Sequence, residues 1–378
     1  MRIIGKPKKP RPVDPAVEVP LLPSNDGFPC DPQRPPLLVL SGCRWTATGG
    51  GQRPVQLARA WRAMGYEVVY ASAMDKPSTS EEGVIVTHIS DVRDHYPQLM
   101  RMTSLAFCGF PQLYQYMIGL RNWFRVLDVC DDWAEFYKAG LLPDTMWSQR
   151  AARVACLDAH VTTFSAASLG HLAEEFGAEH RLLVPNAGPA SPVVCKEPPA
   201  NLLRGTVTAV FCGCLWGSWL DWPAMTKLAQ DLLRTGGVIN IIGGMEAQRN
   251  PEEVPNLPNI RYHGTLPFPE AMRYVAACDV GLIPFRGEGI CRAVDPIKYY
   301  DYAACGLPTV ATNIMRELRG RPYVTLAKPQ ELSVAVERAA RGGRLPAAQV
   351  AAFCAEHSWA ARAKMILATK DIPGVWWQ

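Results

Sequence analysis

Short runs of four or five apolar residues recur along this chain, each ending in glycine or a small residue and followed by a stretch of helical periodicity. Fully apolar runs of that length are typical of parallel strands buried on both faces, so the pattern predicts an α/β chain. The first run, Leu37-Leu38-Val39-Leu40, opens through Ser41-Gly42 into Thr48-Gly49-Gly50-Gly51-Gln52-Arg53. Pro54 follows, at a place suited to a first helical turn. The spacing predicts a helix from Val55 to Met64, stopped by Gly65, and a strand at Glu67-Val68-Val69-Tyr70. Strand, glycine loop, helix and strand form a βαβ unit of a doubly wound sheet.

The alternation continues. Val84-Ile85-Val86, Arg125-Val126-Leu127-Asp128-Val129 and Ala159-His160-Val161-Thr162-Thr163 read as strands, and Trp147 to Leu157 as a helix. Leu182-Leu183-Val184-Pro185-Asn186 closes the first half. A second series starts at Thr206-Val207-Thr208-Ala209-Val210-Phe211-Cys212-Gly213 and passes through a helix from Pro223 to Leu233. The strand Val238-Ile239-Asn240-Ile241-Ile242 then ends in Gly243-Gly244, and Asp279 to Ile283 and Leu307 to Ala311 repeat the theme. A chain of 378 residues is long enough for two domains of about 150 residues each. We expect an extended, proline-rich basic arm over 1–36, a Rossmann-like N-terminal domain over 37–188 and a linker over 189–204. A Rossmann-like C-terminal domain over 205–356 follows, with a C-terminal helix and tail over 357–378. Ligands of such sheets bind at strand C-termini, so the default site is a cleft between the domains.

Composition narrows the function classes. The net charge of +4 over this length is not that of a polycation that coats nucleic acid, although Lys6-Pro7-Lys8-Lys9-Pro10-Arg11-Pro12 is locally basic. Twelve scattered cysteines without a C-x-x-C pair, and seven dispersed histidines, show no metal-ligand spacing. Reduced thiols in a cytoplasmic protein are expected, with peripheral contact at the inner membrane face open. No G-x-G-x-x-G opens a helix, which disfavours a dinucleotide-dependent oxidoreductase.

Residues 278–312, CDVGLIPFRGEGICRAVDPIKYYDYAACGLPTVAT, carry the most information. Asp295 reads as an N-cap, Pro296 as the first helical residue, and Ile297 to Cys305 as a helix stopped by Gly306. Lys298 falls in the first turn, where free N–H groups and the helix dipole favour an anion. Asp301 is three residues on, on the same face and about 4.5 Å higher. A diphosphate at the helix start and a ribose diol one turn along would match that step; a capped helix with a surface Lys–Asp pair is the alternative.

The segment resembles the donor-binding region of GT-B glycosyltransferases, close to family four and its relatives in capsule, teichuronic-acid and exopolysaccharide synthesis. Their pattern, D-V-x-x-x-P, a loop, then P-x-K-x-x-E-Y-x-A-x-G-x-P-V-V, is met by Asp279, Val280, Pro284, Pro296, Lys298, Asp301, Tyr302, Ala304, Gly306, Pro308 and Val310. Gly49-Gly50-Gly51 is similar to the family's N-terminal glycine loop, and Val184-Pro185-Asn186 to its I-P-N. Ile241 to Gly244 is similar to its I-V-G-x-G, and Tyr262-His263-Gly264 with Pro267 to its F-x-G-x-V-P. Ser358-Trp359 lies in a helix resembling the family's terminal one, which crosses back to the N-terminal domain, and the resemblance makes 37–188 the acceptor domain and 205–356 the nucleotide-sugar donor domain. The resemblance implies transfer of a sugar from a nucleotide sugar, UDP-linked in the first instance, without metal or other cofactor. The acceptor is a glycan or lipid-linked hydroxyl; a hydroxylated nucleic-acid base is the alternative, and a non-catalytic nucleotide-sugar-binding module the alternative of another class.

This chain departs from the family in having Asp301 for the usual Glu, and Ala293 where an earlier Glu would fall. It also lacks the Arg and Lys expected within Cys214 to Trp222. Glu288 or Asp295 could then serve the donor sugar, and Arg286 or Arg292 could join Lys298 at the phosphate. Gly243, Gly244, His263 and Gly264 would make room for the nucleotide and read its base. Gly49, Gly50 and Gly51 would bring backbone N–H groups to phosphate or acceptor. On the acceptor side, Asp131 and Asp132 end a strand at the cleft, as general base or acceptor anchor, with helix capping the alternative. Trp216, Trp219 and Trp222 suit either an acceptor groove or a helix face, and Trp376-Trp377 either a membrane interface or packing.

Overall fold

In the computed structural model the described residues are 28, 31, 33–80, 82–138, 140, 148–215, 219–244, 254–287 and 289–371. The basic arm at Lys6 to Pro12, Trp216, Glu288 and Trp376-Trp377 lie outside them, as does the side chain of Arg292.

The first unit contains β1 (Leu37–Ser41), α1 (Arg53–Ala63), β2 (Val68–Ser72), β3 (Ser78–Thr79), β4 (Ile85–His88), α2 (Ile89–Asp94), α3 (Tyr96–Leu99) and β5 (Leu105–Cys108). It continues through β6 (Phe124–Val129), α4 (Trp133–Lys138), α5 (Gln149–Asp158), β7 (Val161–Phe164), α6 (Gly170–Glu175) and β8 (Arg181–Leu183). The second contains β9 (Thr208–Cys212), α7 (Trp222–Thr235), β10 (Val238–Ile242), β11 (Ile260–Tyr262), α8 (Phe268–Ala276), β12 (Val280–Ile283), α9 (Ile297–Ala304), β13 (Thr309–Thr312) and β14 (Val324–Ala327). Helices α10 (Leu332–Gly342), α11 (Ala347–Glu356) and α12 (Trp359–Ala368) end the described chain.

Two sheets result, ordered β3-β4-β2-β1-β5-β6-β7-β8 and β11-β10-β9-β12-β13-β14. Every pairing is parallel except the short β3 against β4. The second order, reversing direction between β9 and β12, is that of a dinucleotide-type sheet, with its crevice at the C-terminal ends of those two strands. In-register pairing such as Leu37 with Val68 and Ser41 with Ser72 brings strand ends level, so the loops that follow them share one edge.

Local chemistry accounts for most elements. In α7 the Asp221 side chain accepts from Ala224 N, Pro223 lies in the first turn, and Gly236 at φ 80° ends the helix. Its buried stripe, Ala224, Met225, Leu228, Ala229 and Leu232, has helical spacing. One central feature escapes the apolar-run reading. Strand β5, Leu-Ala-Phe-Cys, is wholly buried between β1 and β6. Helix α12 lies on α1, where the Trp61 indole donates to Ala363 O at 3.2 Å.

The two units grip each other at several points. Gly49, at φ +68°, faces Leu266 O of the second unit so closely that a Cβ would collide with it. Ser168 donates to Glu317 Oε1 through both Oγ and N, at 2.6 and 3.2 Å. Phe136 of α4 is buried in the second unit's core, its ring 5.3 Å from that of Trp219. Conversely, Ala293 is buried in the first unit's core.

Candidate active site

Helix α9 presents Lys298 and Asp301 on one partly exposed face while Tyr299, Tyr300 and Tyr302 are buried. Its docking is specified by tyrosine hydroxyls. Tyr302 accepts from Cys212 N at 3.0 Å and donates to Leu282 O at 3.2 Å, tying α9 to β9 and β12. Its ring lies where a side chain at Gly281 would be, so glycine is required on β12. Lys298 Nζ stands 4.7 Å from the Phe285 ring centre and 5.5 Å from that of Phe211. A Cβ on Gly213 would stand 2.7 Å from Lys298 Cε, and one on Gly243 would meet Gly213 O. Close packing therefore requires glycine at both positions, Lys298 lying over Gly213 and the Gly213 carbonyl against Gly243, at the crevice of the second sheet.

Burial dominates the electrostatics here. It lowers the Lys298 pKa and pushes the Asp301 carboxyl up to about 7, with Lys298 pulling the latter part of the way back. Asp301 Oδ1 is buried and has no hydrogen-bond partner. An acceptor atom left so is costly, about 1–3 kcal/mol, and functional sites are where such atoms are kept.

The adjacent aspartates after β6 separate into two roles. Asp132 Oδ1 accepts from Glu135 N at 3.1 Å, so Asp132 caps α4. The capping alternative therefore applies to Asp132, which leaves Asp131 as the acceptor-side candidate. Asp131 is half-buried, and its Oδ2 accepts from Cys130 Sγ at 3.6 Å. Both border a narrow, mainly apolar hollow with Leu127, Val129, Trp133 and Cys156. Burial pushes the Asp131 carboxyl up to about 7, the Cys130 contact opposing and Asp128 adding a smaller rise.

Asp295 also needs correction. The N-cap of α9 is Pro296, without a side-chain cap, and Asp295 is a buried interdomain residue rather than a donor-facing one. Its Oδ2 accepts from Asn186 N at 2.7 Å and from Tyr300 OH at 2.9 Å, and Arg321 Nη2 stands 3.0 Å from Oδ1. Arg321 also donates to the Tyr300 hydroxyl. Asn186 Nδ2 donates to Asp295 O at 2.6 Å, while Asn186 Oδ1 accepts from Arg53 Nη1 at 3.1 Å. Arg53 completes a bidentate pair with Asp128 at 2.8 and 2.9 Å, and Thr163 Oγ1 donates to Asp128 Oδ1 at 2.6 Å. The apolar-run reading passed over this network. Its signals were a charge on the buried stripe Arg53, Leu57, Trp61 of α1 and another inside the apolar strand β6.

The remaining candidates divide. His263 Nε2 pairs with Asn240 Oδ1 at 2.8 Å and its ring lies 4.7 Å from Tyr274, so the imidazole is turned into the second unit. Gly264, at φ +71°, has open space where a side chain would stand, and its carbonyl accepts from Gly243 N. Gly244 lies against the Thr265 hydroxyl. Arg286 Nε donates to Leu220 O at 3.1 Å, tying its loop to the one that follows β9. Gly50 uses its carbonyl for Gln56 and Arg59, and Gly51 leads into α1. Trp219 belongs to the aromatic contact with Phe136 and Phe285, and Trp222 begins α7.

Residues 210–341 match the family model described as "Glycosyl transferases group 1". A candidate teichuronic acid biosynthesis glycosyltransferase of Bacillus subtilis, TuaH, is 31% identical over 74 residues; the aligned stretch spans 19% of this chain and 19% of that relative. Sucrose-phosphate synthase of Thermosynechococcus elongatus superposes with a TM-score of 0.63 at 13% identity, covering 89% of this chain and 98% of that one. HepE of Anabaena, solved in complex with UDP-glucose, superposes with a TM-score of 0.60 at 14% identity, covering 89% and 99%. The chain thus has the GT-B fold, two Rossmann-like domains facing across a cleft, and the stretch of it that matches the group 1 glycosyltransferase model is residues 210–341, in the second domain.

Proposed function

We propose that this chain transfers a sugar from a UDP-sugar to a hydroxyl of a glycan or lipid-linked acceptor, without a metal. The observation that carries the reading is the face of α9. Lys298 stands at the helix start, packed over Gly213 at the crevice of the second sheet, with the unpartnered Asp301 Oδ1 one turn along. A diphosphate would take the first-turn N–H groups and Lys298, and ribose hydroxyls would donate to Asp301. Helix dipole and ammonium together stabilise the charge that develops on the leaving diphosphate. The complex of HepE with UDP-glucose and the teichuronic acid relative support the donor and acceptor classes.

In the transfer the acceptor oxygen bonds to the anomeric carbon as the bond to the diphosphate breaks. The acceptor proton passes to Asp131 in an inverting reaction, or to a departing phosphate oxygen in a retaining one, with Asp131 then anchoring the acceptor. A carboxylate with a pKa near 7 is matched to proton transfer at neutral pH.

UDP at 100 times its dissociation constant is expected to stabilise the protein by about 2.7 kcal/mol, without added divalent ion. Thermal shift measures this, and a strict requirement for a metal would refute the metal-independent reading. Lys298→Ala and Asp301→Asn are each expected to weaken UDP binding by about 10- to 150-fold, the worth of one charged hydrogen bond. Because ribose hydroxyls favour the ionised carboxylate, wild-type affinity should tighten as pH rises through about 7, and Asp301→Asn should lose that component. Titration calorimetry of the two variants between pH 6 and about 8 tests both statements. Unaltered affinity in both folded variants would leave α9 a structural helix.

A further inference from the structure

The buried network around Asn186 joins parts that the proposed reaction needs to hold at fixed separation. On one side, Arg53 begins α1 directly after the glycine loop, and Asp128 lies three residues before Asp131 on β6. On the other, Asp295 and Tyr300 flank Lys298 in sequence, and Arg321 closes on both. Asn186, at the crossing from the first unit, is the residue that bonds both groups at once. Arg53, Asp128, Asn186, Asp295 and Tyr300 are all buried at 5% exposure or less.

We propose that Asn186 is the positioning residue of this enzyme, setting the donor helix α9 in register with the acceptor-side Asp131. The inference rests on the transferase reading above for its catalytic consequence, but its structural consequence stands apart from it. The asparagine amide suits the task because it is neutral and offers a donor and an acceptor at once. Its Oδ1 turns to the cation Arg53, while its Nδ2 and backbone N–H turn to Asp295. Arg53–Asp128 and Arg321–Asp295 are each self-neutralising pairs, so Coulomb attraction alone does not fix their relative orientation. Three directional bonds from one side chain and its amide do. Asn186 touches neither Lys298 nor Asp131 in the hydrogen bonds it makes, so it acts through Asp295 and Arg53.

Asn186→Ala removes two of the three bonds; Asn186→Ser is the milder variant should alanine prevent folding. The expected result is a cooperative melt, UDP affinity within about twofold of wild type, and turnover of UDP-sugar lowered by at least about tenfold. Hydrogen exchange should accelerate about tenfold in the interdomain segments 133–138 and 289–293, while β9 and β10 keep their protection. Uniform acceleration through both sheets would make Asn186 a stability residue only. Unchanged exchange at 133–138 and 289–293 in a folded variant would overturn the proposal outright. Failure of the wild type to bind UDP would refute the transferase reading and leave the exchange arm valid.

Discussion

Asp131→Asn is expected to slow sugar transfer by about 10²- to 10⁴-fold, the range lost when a positioned proton acceptor is removed. UDP affinity should be nearly unaltered, because Asp131 belongs to the first unit and the nucleotide face to the second. Asp132→Asn should be close to wild type in rate, since asparagine caps a helix as well as aspartate does. The contrast between adjacent, chemically identical side chains is the informative result. With a carboxyl pKa of about 7, the wild-type rate should climb with pH and level off above neutrality. The raised pKa also has a stability consequence. The folded state binds a proton that the unfolded state, near 3.8, has released, so stability falls as pH rises from about 4 to about 7. Asp131→Asn lacks that loss, and its denaturation midpoint should exceed the wild-type value at pH 8 more than at pH 4. Equal rates for the two asparagine variants would place the acceptor elsewhere.

Arg53→Met is expected to destabilise the fold by about 3–5 kcal/mol, the cost of leaving a buried carboxylate without its partner. Asp128 is 1% exposed, and once the guanidinium is gone the Thr163 hydroxyl is the partner that remains to it among the described residues. Arg53→Met with Asp128→Leu should recover much of the loss, because the charge to be compensated has also been removed. Urea denaturation of both single variants and the double measures the coupling. A single-variant loss below about 1 kcal/mol would mean that the pair is hydrated in solution and the network loose.

Much of the architecture is legible in the chain because its determinants are local. Four- and five-residue apolar runs closed by glycine specify buried parallel strands, and proline or a capping side chain specifies where the next helix starts. The same locality put Lys298 and Asp301 on one face, since three residues of helix carry a side chain back to nearly the same direction. Strand β5 is not legible in this way, because a four-residue run, Leu105 to Cys108, does not declare its structure by period alone.

Local pattern thus suffices for the strand–glycine–helix alternation, its two series and the placing of Lys298 with Asp301 on one helix face. The destinations of the side chains around them were decided in three dimensions. Asp295 has an N-cap's sequence context, yet it turns inward because Asn186, 109 residues earlier, and Arg321 offer stronger partners than a free helix amide. Asp131 and Asp132 are indistinguishable as a dipeptide and are separated only by which one α4 takes as its cap. Arg53 and Asp128 are 75 positions apart, and each alone would be an unexplained charge in an apolar segment. A side chain's partners are set by the strand order that brings distant strand ends to one edge, and that order depends on contacts no local pattern contains.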